Sequence, residues 1–144
     1  MVWIILIAVI AIIGVILMMF FISLQKDNED LQTQSLDQKY FEIVKMINEA
    51  AFNGNGSVTI LSKREFNLYK HGENQIIQFL YSTGKLTIIW KYKYFHKEVV
   101  LERTFGKMRN LSVFEQKAIG ESFLKEMDLV IEQHKQDVLS GIKT

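Results

Sequence analysis

Hydrophobic and polar positions change their spacing three times along this chain, and each change marks a new element. The first 24 residues show no alternation: MVWIILIAVIAIIGVILMMFFISL holds no charged side chain, and its only hydroxyl is on Ser23. As a helix rising about 1.5 Å per residue this run reaches roughly 35 Å, enough to cross a hydrocarbon layer of about 30 Å. A helix also satisfies its own backbone polar groups where no water is present. Residues 25–34, QKDNEDLQTQ, are polar without an apolar period and read as a juxtamembrane linker, free to continue the helix.

Helical spacing begins after Ser35. Leu36, Tyr40, Ile43, Ile47 and Ala50 form one apolar stripe, and SLDQ has the form of a capping box, with Ser35 as N-cap and Gln38 reaching back. NGNGS at 53–57 ends this helix, because Asn and Gly tolerate the left-handed backbone that stops one. The period then becomes two. SVTILS, EFNLYK, NQIIQFLYS, KLTIIWKYKYF and EVVLERTF are strand candidates, separated by Lys63-Arg64, HGEN, STGK and a two-residue turn at His96-Lys97. In the fourth, Leu86, Ile88, Trp90, Tyr92 and Tyr94 face one side, while Thr87, Ile89, Lys91, Lys93 and Phe95 face the other.

A second capping box, SVFE at Ser112 to Glu115, opens the last helix. Its stripe of Ile119, Phe123, Met127, Val130, Ile131, His134 and Val138 extends over roughly 27 residues, about 40 Å. That exceeds a typical strand, so its far end is expected to project beyond the sheet. The predicted fold is α+β: an N-terminal transmembrane helix, a helix, a four- to five-stranded antiparallel meander and a long C-terminal helix. Two amphipathic helices and one apolar sheet face close most simply as two layers. The domain reading is a signal anchor at 1–24, a linker at 25–34 and a soluble α+β domain at 35–144.

Three alternatives for the first segment fare worse. A cleavable signal wants a basic start, a shorter apolar core and small residues at a cleavage site, where this chain has MMFFISLQ. Cysteine is absent, which excludes a lipoprotein-type anchor and any disulfide. A pilin-like subunit wants a basic leader ending in Gly and an acid early in the run; here Gly14 lies mid-run and the first acid is Asp27. The placement expected is therefore a bacterial inner membrane, crossed once. Lys26, Lys39 and Lys45 follow the span and no base precedes it in the sequence, which favours a cytoplasmic domain.

Formal charge is only +1, so nucleic acid is not an expected partner. The charge is uneven, however: residues 57–109 carry ten bases against four acids, whereas both flanks are acidic. Within that region WKYKYFHK interleaves bases and aromatics, a pattern suited to an anionic lipid surface or to single-stranded nucleic acid, through charge and stacking. The same alternation is what any strand with one buried face displays. If the surplus has a role, Lys91, Lys93, Lys97, Arg103, Lys107 and Arg109 are the residues to contact an anionic surface. Lys91 and Lys93 share a face, and the strand register decides whether the other four join them.

No catalytic, cofactor-binding or metal-binding residues stand out. His71, His96 and His134 are far apart, with no paired-ligand spacing, and His134 reads as a half-buried packing residue. GNGS lacks the Lys of a P-loop and follows a helix where such loops follow a strand. No serine has a nucleophile-elbow context. The function expected is a non-catalytic, single-pass accessory or scaffold subunit of a membrane protein complex. Its partners are membrane lipid through residues 1–24 and other proteins or further copies of itself. A lipid-binding sheet face, a pilin-like subunit and a membrane-bound enzyme are the alternatives.

Overall fold

In the computed structural model, which describes residues 1–142, the first apolar run and most of the polar stretch after it form one helix. Helix α1 spans Val2–Asp30 without interruption. It is long and apolar enough to cross a bilayer, and its apolar side chains from Val2 to Ile22 are exposed among the described residues. It stops where Leu31 enters the domain core.

The helix expected from Ser35 is in fact two. Helix α2, Leu36–Lys39, breaks at Tyr40, and α3 runs Phe41–Phe52. The Ser35 capping box does not form. The break follows from competing partners: the Gln116 side-chain amide donates to the Lys39 carbonyl at 3.0 Å, and the Tyr40 hydroxyl donates to the Met108 carbonyl at 2.7 Å. Leu36, Tyr40, Ile43 and Ile47 are buried as their spacing predicts, but Ala50 is exposed and Val44 is buried instead. Asn53 ends α3 in the left-handed conformation.

Five strands follow: β1 Ser57–Ser62, β2 Glu65–Tyr69, β3 Gln75–Ser82, β4 Lys85–Tyr94 and β5 Lys97–Phe105. They form an antiparallel meander in sequence order. Register places Phe66, Phe79 and Ile88 side by side across β2 to β4, and Leu68, Ile77, Trp90 and Leu101 across β2 to β5. These residues make the face that receives the helices. The last turn lies one residue earlier than the sequence suggests: Tyr94 pairs with Lys97, so Phe95 and His96 occupy the corner, both with positive φ.

Helix α4, Val113–Ile142, starts on the second capping box. The Ser112 amide donates to Glu115 Oε2 at 2.8 Å, and the Glu115 amide donates to Ser112 Oγ at 3.2 Å. The Ser112 amide, and after it the Ser112 hydroxyl, which donates to the same Oε2 at 3.0 Å, hold the Glu115 pKa below its usual value. At the α3–α4 crossing, a Cβ on Gly120 would lie 2.9 Å from Met46 Sδ, so a side chain there would require Met46 to shift. Along α4, Phe123, Met127 and Val138 are buried, while Ile119, Val130, Ile131 and His134 are half-buried. Both α3 and α4 lie on one face of the sheet, and the core fills the space between; no element among the described residues covers the other sheet face.

The strands give the domain two poles. The turns at 63–64 and 83–84 and the segment after β5 lie at the pole that touches α1. The turns at 70–74 and 95–96 lie at the opposite one. His134 reaches that far pole, with Nε2 3.2 Å from the Lys97 carbonyl and its ring edge-on to Tyr92 and Tyr94. Helix α4 is about 45 Å long against about 33 Å for β4, and it remains buried as far as Val138.

Candidate functional site

Among the described residues Asp27, at the end of α1, is a carboxylate with no exposed surface and several internal partners. Three separate segments converge on it. Arg64, from the β1–β2 turn, places Nη1 3.1 Å from Oδ2. Arg109, beyond β5, places Nη2 2.7 Å from Oδ1. Between them the β3–β4 turn donates two successive amides, Thr83 N at 2.5 Å and Gly84 N at 2.9 Å. Both turn residues have positive φ, a geometry in which consecutive N–H groups point to one anion. A Cβ at Gly84 would lie 2.6 Å from Arg109 Nη1, so a side chain there would push the guanidinium from its place in the clamp.

The two guanidinium groups grip the helix backbone as well as its carboxylate. Arg64 Nη2 donates to the Leu24 carbonyl at 3.2 Å and to Asn28 Oδ1 at 2.8 Å. Arg109 Nη2 donates to the Ser23 carbonyl at 3.0 Å and to its hydroxyl at 2.9 Å. Fork-shaped donors suit such multiple acceptance, which a lysine cannot reproduce. A carboxylate taken out of water needs compensation of this kind.

A polar cleft adjoins the clamp, lined by Asp30, Lys39, Tyr40, Arg109 and Gln116. Asp30 is 3.5 Å from Lys39 Nζ and 3.7 Å from Arg109 Nε. Behind it, Tyr40 and Tyr81 lie with ring centroids 6.0 Å apart. Burial, then the charge of Asp27 and that of Asp30, pushes the Tyr81 hydroxyl up to about 12. Burial raises Tyr40 further, with Tyr81 the next contributor. Below those values both phenols keep their protons, and Tyr40 donates its own to the Met108 carbonyl. No group of three or more His, Asp or Glu able to hold a metal occurs among the described residues.

The six candidate bases occupy several places. Lys91 and Lys93 lie on the uncovered sheet face, where Lys93 pairs with Glu98 across the ladder. Lys97 sits at the far turn. Arg103 is on the helix side, in an ion pair with Glu126 of α4. Lys107 and Arg109 are at the α1 pole, and the anion that Arg109 contacts is the chain's own Asp27. From Lys85 to Lys93 the strand climbs roughly 26 Å, so the set does not form one surface.

Sequence reasoning passed over Asp27 and Arg64. The available signal was spacing: Ser23, Asp27 and Leu31 fall four residues apart, on one face of a helix continued past the apolar run. Comparison with family models, with curated proteins and with solved structures gives no match for this chain.

Proposed function

We propose that this protein is a single-pass membrane subunit, non-catalytic, that assembles with other proteins through a domain locked to its spanning helix. The observation that carries the reading is the Asp27 clamp. A tether needs only slack, whereas a helix end held by two arginines and two turn amides has a fixed height and a fixed rotation relative to the domain. Such an arrangement suits a body that must present one face inside the membrane and another outside it in register.

Two further features support it. The helix from Val2 to Ile22 exposes apolar side chains all round, and a continuous surface of that kind requires lipid or another chain. Outside it, the first turn of α4 exposes Phe114 by 81%, and Leu129 on the same helix is exposed by 65%. The domain is assigned to the cytoplasmic side of a bacterial inner membrane because Lys26, Lys39 and Lys45 follow the span.

The test is extraction of the tagged full-length protein from its native membrane in mild detergent, with mass spectrometry of what accompanies it. The reading predicts a stoichiometric partner set, or copies of this chain, that survives high salt. Recovery of the protein alone and monomeric would overturn it.

A further inference from the structure

We infer that the pole of the domain nearest α1 is a docking surface for anionic lipid headgroups, formed by Lys26, Lys63, Lys85 and Lys107. The inference rests on α1 spanning the bilayer, and it names the lipid chemistry that the domain meets where the helix emerges.

Position comes first. The apolar run ends at Leu24, and Asp27 lies three residues on, about 5 Å along the helix axis. The headgroup layer on each side of a bilayer is about 5 to 7 Å deep. Because the Thr83 and Gly84 amides bond Asp27 directly, the β3–β4 turn is held at that depth. The β1–β2 turn is held there by Arg64, and the segment after β5 by Arg109, which reaches back to Ser23. The Met108 amide donates to the Gly84 carbonyl at 2.9 Å, fixing that segment beside the turn.

Charge comes second. Lys63, Lys85 and Lys107 each adjoin one of these three fixed points, in sequence next to Arg64, Gly84 and Met108. Lys26 precedes Asp27 on the helix itself. All four are exposed, and none has an ion-pair partner among the described residues. Of the nearby acids, Asp27 and Asp30 are held by Arg64, Arg109 and Lys39, which leaves Glu29, exposed on the helix, and Glu65, half-buried at the β1–β2 turn, against the four lysines. Four mobile ammonium groups around an emerging helix, at headgroup depth, are placed to meet lipid phosphates. The bases of the far pole, Lys93 and Lys97, are held out of reach by the length of the strands.

The full-length protein is reconstituted into phosphatidylcholine vesicles containing phosphatidylglycerol, and flotation after alkaline wash establishes insertion. Spin-labelled lipids then report, by electron paramagnetic resonance, how much of each headgroup is held at the protein. The parent should hold phosphatidylglycerol over phosphatidylcholine by about threefold or more. The variant K63E/K85E/K107E should lose that preference, as should the milder K63Q/K85Q/K107Q, while K91E/K93E/K97E should retain it. An inserted parent without a preference would overturn the inference while leaving the spanning helix intact. So would a preference that survives both changes at the near pole, or one abolished by the change at the far pole. Failure to float would overturn the spanning reading and this inference together.

Discussion

Asp27 is one of three acids in the stretch KDNED, and nothing in its immediate neighbours separates it from Glu29 or Asp30. Its role depends on partners 37 to 82 residues away, supplied by turns whose mutual position only the folded sheet defines. That is why the clamp is not legible in the sequence, although Arg109 reads there as a candidate anion contact. The paired phenols behind the clamp were equally hidden, since Tyr40 reads as one member of an apolar stripe and Tyr81 as one of a strand. Their raised pKa values lead to a prediction of alkaline behaviour. An unfolded tyrosine loses its proton near 10.0, whereas Tyr81 holds its own up to about 12. The folded state therefore binds more protons in that interval, and stability falls as pH rises through it. Equilibrium unfolding in denaturant should show stability dropping from pH 10 towards pH 12, with a shallower drop in Tyr81→Phe. An unchanged slope in that variant would show that the phenol is not responsible.

At the scale of elements, the strands were legible because a sheet covered on one face alternates with period two. Leu86, Ile88 and Trp90 point into the core, and Thr87, Ile89 and Lys91 point away. The last helix was legible from its capping box and stripe, both found as read. Two local expectations failed for one reason, which is that tertiary partners outweighed local signals. The helix from Ser35 breaks at Tyr40, where the Lys39 carbonyl is drawn to Gln116. The last hairpin turns at Phe95 and His96, with φ of 48° and 62°, although neither residue favours that region. The long β4–β5 ladder forces the corner there. Left-handed backbone costs a residue with a Cβ roughly 1 to 2 kcal/mol, and Asn-Gly is the sequence this turn prefers. The double substitution Phe95→Asn with His96→Gly should therefore stabilise the protein by about 1 to 2 kcal/mol in denaturant unfolding. A loss of stability would mean that the contact of Phe95 with Tyr94 outweighs the backbone gain.

For the whole molecule, the consequence of the clamp is mechanical. The bonds to Ser23, Leu24, Asp27 and Asn28 hold one end of a 29-residue helix to three corners of the sheet. These contacts tie the orientation of the domain to that of the helix end. Removal of Asp27 leaves the Thr83 and Gly84 amides without their acceptor and takes one of several acceptors from each guanidinium group. For a buried pair that costs about 3 to 5 kcal/mol, and less here because both arginines keep some contact with water. The core residues Leu31 and Leu36 still tie the chain to the domain, so the expected result is a loosened joint rather than a lost fold.

The absence of cysteine makes the direct measurement clean, because two introduced thiols are the only ones to carry label. Spin labels at Gln25→Cys on the helix and Lys93→Cys at the far pole, in the full-length protein in lipid nanodiscs, report the distance between the two parts by pulsed electron resonance. The account predicts a single narrow distance distribution for the parent and a broad one once Asp27→Ala is added, with the domain's circular dichroism unchanged. A broad distribution in the parent, or a narrow one that ignores the loss of Asp27, would contradict it.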